Sequence, residues 1–235
     1  MNVLNMNENY FQNEIASHLG KMLRDAFGKG PQSIYVSVER PVIVVYLRNF
    51  LTPTEKILLN QGQTRTIEQT RDMVMSSLIP EIKAYLHPLT GMNDLEFYYD
   101  WELHNHSGIL VGRQLEESAA LEQWQDKFEG KDGLEREILR MSQRIQKKPE
   151  HLYSRIINKR TLVVVRSGGM IDLSKELIRL GVEDHLRQAV NHLEKKHLRD
   201  NRNIEQALDT RIMDVFVDWN LERDKSVIVF ILNPK

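Results

Sequence analysis

The sequence predicts an α+β protein made of two tandem copies of an α-β-β-α-β-β domain. Each copy is expected to form a four-stranded antiparallel sheet with helices on one face. Three observations predict this. First, Phe97-Tyr98-Tyr99-Asp100-Trp101-Glu102-Leu103 and Val215-Phe216-Val217-Asp218-Trp219-Asn220-Leu221 share an Asp-Trp-x-Leu ending at an offset of 118. Second, other pairs keep nearly the same offset: Pro41–Val45 faces Thr161–Val165 and Leu51–Lys56 faces Ile171–Glu176 at 120, and Gly62 faces Gly181 at 119. A near-constant offset is the mark of an internal repeat. Third, helical and strand periodicities follow the same order in both halves. A chain of 235 residues has room for two domains. The expected boundaries are 1–112 for the first domain, 113–133 for a helical linker and 134–235 for a second, diverged domain.

Each element has its own signal. Phe11, Ile15, Leu19, Met22, Leu23 and Ala26 recur at three- and four-residue steps, so the chain opens with an amphipathic helix. Gly28, Gly30 and Pro31 stop it. Ser33–Glu39 and Val42–Arg48 are rich in β-branched residues and read as a hairpin. A second helix starts near Pro53, is interrupted at Gly62 and resumes to about His87, with Pro80 expected to kink it. Strands follow at about Asp94–Leu103 and Gly108–Gly112. In the second copy the same order gives a helix near Leu134–Lys147, strands near Leu152–Ile157 and Thr161–Arg166, one helix near Ser174–Leu198, and strands near Arg211–Leu221 and Ser226–Leu232. Asn158-Lys159 is the expected turn of its first hairpin. Gly168-Gly169 stands opposite Arg48-Asn49, and a left-handed backbone is expected at the Asn49/Gly169 site. The linker carries Leu115, Leu121, Trp124 and Phe128 and is expected to end at Gly130 and Gly133.

Composition excludes several classes of function. There is no Cys, which removes disulfides, thiolate metal sites and Cys nucleophiles. Lys and Arg number 32 against 33 Asp and Glu, so no global charge attracts nucleic acid or anionic lipid. The longest apolar runs, such as Val42–Leu47, fall far short of the ~20 residues of a membrane helix. The polar stretch Met1–Asn13 does not resemble a signal peptide. No phosphate-loop, dinucleotide, nucleophile-elbow or zinc-protease motif occurs. No catalytic residue, metal site or cofactor is therefore expected, and the expected location is cytoplasmic.

A few residues could still line a ligand site: Glu55, Arg71, Asp100 and His104. Thr52-Pro53-Thr54-Glu55 has the pattern of a capping box, in which the Thr hydroxyl and the Glu carboxylate each take the other residue's amide. Asp172 is the matching cap former in the second copy. Asp100, Glu102, His104 and His106 alternate, so all four share one face if the strand runs that far. Carboxylates and His together suit a metal, but the second copy has Asp218, Asn220, Glu222 and Asp224 there, and a hairpin turn is expected at the His pair. The opposite face, including Trp101 and Trp219, reads as core or interface. Asp100 and Asp218 are the acids both copies keep. Arg136, Arg140 and Arg144 form a basic stripe, and Arg136–Arg160 is a candidate phosphate-binding stretch. Tyr153 is its only aromatic residue, which disfavours stacking on single strands.

Lys29-Gly30-Pro31, the apolar strand Val42–Leu47, Leu51-Thr52-Pro53-Thr54-Glu55-Lys56, a helix from Gly62 to Arg71 and a strand reaching Asp100 together resemble the MpsC-like family of small bacterial proteins. The second half departs from the pattern, with Lys148-Pro149 for Gly-Pro, Asp172-Leu173-Ser174-Lys175 at the helix start and Val190 where Arg71 stands. It keeps Asp218 and Ser226–Phe230. The resemblance implies a soluble accessory component of a cation-translocating, membrane-potential-generating system. It brings no established active site, so no catalytic residue is carried over. The expected function is non-enzymatic binding, with the two copies packed as a pseudo-dimer and with a second copy of the chain in a homo-oligomer and a subunit of a membrane cation/bicarbonate transport system as further partners. The alternatives are a small-ligand sensor or enzyme with a site between the copies, and a weak nucleic-acid binder acting through Arg136–Arg160.

Overall fold

The computed structural model describes residues 3–115, 123–124, 126–199 and 201–233. The chain divides into two compact units, Met1–Leu115 and Glu116–Lys235. The first unit contains α1 (Val3–Phe27), β1 (Ser33–Glu39), β2 (Val42–Arg48), α2 (Pro53–Asn60), α3 (Thr64–Thr90), β3 (Leu95–Glu102) and β4 (Ser107–Gln114). The second contains α4 (Lys131–Ile145), β5 (His151–Asn158), β6 (Thr161–Ser167), α5 (Asp172–Arg179), α6 (Glu183–Arg199), α7 (Arg202–Leu208), β7 (Ile212–Asn220) and β8 (Lys225–Leu232). Each unit holds one antiparallel four-stranded sheet, ordered β1-β2-β4-β3 in the first and β5-β6-β8-β7 in the second. The last strand of each copy thus inserts beside the strand with the apolar run, which becomes central.

One face of each sheet meets the helices. In the first unit Ile43, Val45, Leu47, Leu110, Tyr99 and Trp101 pack with Ile15, Leu19 and Leu23 of α1 and with Ile67, Met75, Ile82 and Leu86 of α3. In the second, Leu162, Val164, Val217, Trp219, Ile228 and Phe230 pack with Leu134, Ile138, Val190, Leu198 and Ile204. Removing a side chain of this size from water stabilises by about 1.5–3 kcal/mol.

The repeat extends to backbone detail. Gly62 (φ 72°) and Gly181 (φ 73°) are both left-handed, and each separates an eight-residue helix from the long one that follows. The second copy therefore has a break at Gly181 where a single helix was expected. It breaks again near Asn201, whose side chain caps α7 by accepting from the Asn203 amide. The first copy continues as one helix to Thr90, through Pro80 and Pro88. The left-handed pair is Asn49 (φ 50°) with Gly168 (φ 71°), so the position falls one residue before the expected Gly169. The β5–β6 turn is Lys159-Arg160, also shifted by one, with the Arg160 amide bonded to the Asn158 side chain.

The linker expectation falls in part on residues 116–122 and 125, outside the described residues. At its ends, Arg113 and Gln114 complete β4, and Gly133 lies in the first turn of α4 instead of ending an earlier helix.

Candidate functional site

The residues of the family-like pattern converge around the loop between β2 and α2. Lys29 donates to the Leu51 carbonyl at 3.0 Å. The Thr52 amide donates to Glu55 Oε2 at 2.8 Å, and the Glu55 amide to Thr52 Oγ1 at 3.2 Å, which completes the capping box. Arg71 grips the same carboxylate from α3: Nε to Oε1 is 2.7 Å and Nη2 to Oε2 is 2.9 Å. Nη2 also donates to the Phe50 carbonyl at 2.8 Å. The guanidinium carbon lies 4.4 Å from the centre of the Trp101 ring, 4.8 Å from Phe50 and 5.7 Å from Phe27. Three aromatic rings and one carboxylate thus enclose a fully buried cation. Such a bidentate pair has fixed geometry as well as charge. Burial pushes the Glu55 carboxyl up, but the hydrogen bonds and charge of Arg71 outweigh it, helped by Thr52, and the group sits below its ordinary value.

The second unit holds a related cluster assembled from other positions. Arg166 of β6 donates from Nη2 to Glu194 Oε2 at 2.5 Å and from Nη1 to Oε1 at 3.1 Å. Its Nη1 also reaches Ser142 Oγ at 2.8 Å and its Nε reaches Ser226 Oγ at 2.9 Å. Its guanidinium lies 5.0 Å from the Trp219 ring, and Trp219 Nε1 donates to Glu194 Oε2 at 3.3 Å.

Register identifies what has moved. Leu47 pairs with Gly108, which pairs with Trp101; Arg166 pairs with Ser226, which pairs with Trp219. Arg166 therefore occupies the place of Leu47. The equal lengths of α2 and α5, and the matching glycine breaks, put Ser174 in the place of Glu55, Val190 in that of Arg71 and Glu194 in that of Met75. One buried arginine–carboxylate pair lies against the same tryptophan position in both units. It bridges two helices in the first and a strand and a helix in the second. The position facing the tryptophan follows suit. A Cβ on Gly108 would lie 2.4 Å from the Trp101 ring, whereas the second unit carries Ser226 there as a partner for Arg166.

The helix start changes with the pair. The N-cap of α5 is Ile171, without a side-chain cap, and Asp172 is its first helical residue and not its cap. Gln146 takes over part of the role of Glu55, accepting from the Ile171 amide at 3.2 Å and from Ser174 Oγ at 2.9 Å.

The four candidate ligand residues are not one site. Glu55 and Arg71 meet only in the buried pair. Asp100 lies on β3, an edge strand, where its Oδ1 takes the Trp101 amide at 2.8 Å. Asp218 does the same for the Trp219 amide at 2.9 Å, and also accepts from Asn191 at 3.2 Å and Arg187 at 3.5 Å. His104 is exposed in the Leu103–His106 turn, past the end of β3, so it does not extend the carboxylate face of the strand. Among the described residues no group of three or more His, Asp or Glu is placed to hold a metal ion.

The basic stretch is broken up by its neighbours. Arg140 donates to Glu137 at 2.6 Å, and Arg155 to the Trp124 carbonyl at 2.7 Å. A shallow groove of about 360 Å³ beside α4 mixes Arg136, Arg140 and Lys148 with Asp132 and Glu135. Mixed charge of this kind gives little net attraction for phosphate.

Arg166 and Glu194 are the residues that sequence reading missed. Their signal was present. Arg166 ends the alternation Leu162, Val164, Arg166, and Glu194 stands between Val190 and Leu198 at four-residue steps. A charge on a buried stripe requires a partner.

Among the described residues no helix is long and apolar enough to cross a membrane. Residues 7–113 match the family described as the Na+-translocating membrane potential-generating system (MpsC). A curated relative, the uncharacterized protein YbcI of Bacillus subtilis (strain 168), is 26% identical over 101 residues, which is 43% of this chain and 82% of the relative. No solved structure matches the chain. The family match ends at residue 113, while the second unit repeats the strand order of the first. By family match, the first unit of this chain is MpsC-like over residues 7–113.

Proposed function

We propose that this protein is a non-catalytic accessory protein whose two copies pair as a pseudo-dimer, on the cytoplasmic side, in support of a membrane cation-transport system. The observation that carries the reading is the make-up of each sheet. Helices pack on the face that holds Ile43, Val45 and Leu110 in the first unit and Leu162, Val164 and Ile228 in the second. Strand alternation puts Val42, Val44, Ile109 and Val111 on the other face of the first sheet, and Val163, Val165, Val227 and Val229 on the other face of the second. Each copy thus carries a second sheet face whose two central strands are largely apolar and which, among the described residues, lies outside the core its helices build; in the first unit that face also holds the Arg113–Glu96 pair, Asp100 and Glu102. Tethering raises the effective concentration of one such face for the other. The use of Glu55, Arg71, Asp100 and Asp218 in bracing the fold supports a role without chemistry.

Small-angle scattering on the full chain tests the pairing. A compact pair should give a radius of gyration of about 18 Å. A clearly larger radius with a two-lobed distance distribution overturns the pseudo-dimer. The transport link is tested by co-purification with the membrane subunits of a neighbouring cation transporter; loss of the protein without effect on ion-driven membrane potential would argue against it.

A further inference from the structure

We propose that the outer face of α5 and the turn after it form a docking site for a partner's amphipathic helix, one that carries Lys or Arg beside its apolar stripe. Leu173 and Leu180 are seven residues apart and so lie on one helical face, with Leu177 between them. Leu173 is 65% exposed, Leu180 61% and Val182, two residues on, 37%. Single exposed apolar side chains are ordinary, but a row of them at helical spacing fits a helix-binding groove.

The first unit shows that the fold does not need this row. By the matched helices and glycine breaks, Leu173, Leu180 and Val182 take the places of Thr54, Gln61 and Gln63. The exposed Ile57 of the first unit stands elsewhere, in the place of Glu176. The apolar row is particular to the second copy.

Charge selects the occupant. At 100° per residue, Asp172 and Glu176 form the line next to the leucines. Lys175 and Arg179 lie beyond that line and are paired back to it, Lys175 to Asp172 at 3.2 Å and Arg179 to Glu176 at 2.5 Å. Past the turn, Glu183 and Asp184 open α6 beside Val182. The rim nearest the apolar row is acidic. An anionic membrane surface is repelled by such a rim. A second copy docking row to row about a two-fold axis would set acid rim against acid rim. A helix with a basic rim is attracted and oriented.

The test uses the full chain and the variant Leu173→Thr/Leu180→Gln/Val182→Gln, which restores first-copy residues at exposed positions. The probe is a labelled amphipathic peptide of Leu and Lys, about 18 residues long so that it forms a helix, with a Leu/Glu peptide as control. Fluorescence anisotropy should show saturable binding of the Lys peptide, weakened roughly tenfold or more in the variant, and none of the Glu peptide. Glu183→Lys/Asp184→Lys, which leaves the apolar row intact, should also weaken binding and guards against a misfolded first variant. Equal binding to wild type and both variants, or no binding of the Lys peptide, overturns the proposal. So does stripe-dependent flotation with phosphatidylglycerol vesicles, or a dimer in sedimentation that the triple variant abolishes.

Discussion

Arg71 braces the first unit at several points at once, because it joins α3 to the start of α2 and lies against three rings. Arg71→Met should cost about 3–5 kcal/mol in urea unfolding, since it strands the Glu55 carboxylate in a buried place. Arg71→Val combined with Glu55→Ser, the residues of the second copy, should cost clearly less than the sum of the single changes. Additive losses would mean that the pair does not act as a unit. The same carboxylate links stability to pH. Its folded value lies below its unfolded one, so its contribution is complete above about pH 4.5 and is lost as pH falls through the folded value. Glu137 acts in the same direction in the second unit, held down first by the Asn201 hydrogen bond against the opposing effect of burial, and further by Asn203 and Arg140. Glu55→Gln should therefore lower stability at pH 7 yet flatten its fall below pH 4.5. A variant with the wild-type acid slope would contradict this assignment.

At the scale of elements, the strand contacts explain why glycine and aspartate stand where they do. Gly108→Ala places a methyl into the Trp101 ring and should destabilise by about 1–3 kcal/mol through overpacking. The matching Ser226→Ala leaves the tryptophan alone and removes one partner of Arg166, so it should cost only about 1–2 kcal/mol. Asp100 and Asp218 occupy the amides of the following tryptophans on the two edge strands β3 and β7. Both carboxylates are buried, and Asp218 is held as well by Asn191 and Arg187 of α6, so they act as internal acceptors. Asp218→Ala removes the acceptor of the Trp219 amide and of the Asn191 side chain and should cost about 1–3 kcal/mol in urea unfolding. Much of this was legible. Amphipathic spacing found α1 and α3, and the Thr52-to-Glu55 pattern marked the start of α2. The breaks after α5 and α6 were missed because Gly181 and Asn201 interrupt a pattern whose apolar spacing nearly survives them.

For the whole molecule, duplication followed by divergence accounts for the two ion pairs. A charge cannot wander through a core one residue at a time without being stranded. Replacing Leu47, Glu55, Arg71 and Met75 by Arg166, Ser174, Val190 and Glu194 needs all four changes to end in a satisfied state. We expect that grafting Arg and Glu at Leu47 and Met75 in the first unit, with Glu55 and Arg71 kept, will unfold it, because two buried cations would then compete for one tryptophan face. A stable, cooperative thermal melt of that variant would contradict the argument. Pairing of the copies and docking at α5 are the two surface properties the molecule is proposed to use, and they involve different faces of the second unit.

The sequence alone determined the duplication, the element order, the antiparallel α+β class and the family likeness of the first half. These depend on local periodicity and spacing, which survive divergence. It also supplied the list of unusual polar residues. Only the tertiary structure decided what those residues do. Glu55 and Arg71 lie sixteen positions apart, and Arg166 and Glu194 twenty-eight. Whether such a pair binds a ligand or braces a core depends on the burial and the neighbouring rings that long-range packing provides. In each unit that packing places a guanidinium beside a carboxylate and a tryptophan, and so turns residues that looked like a site into the framework.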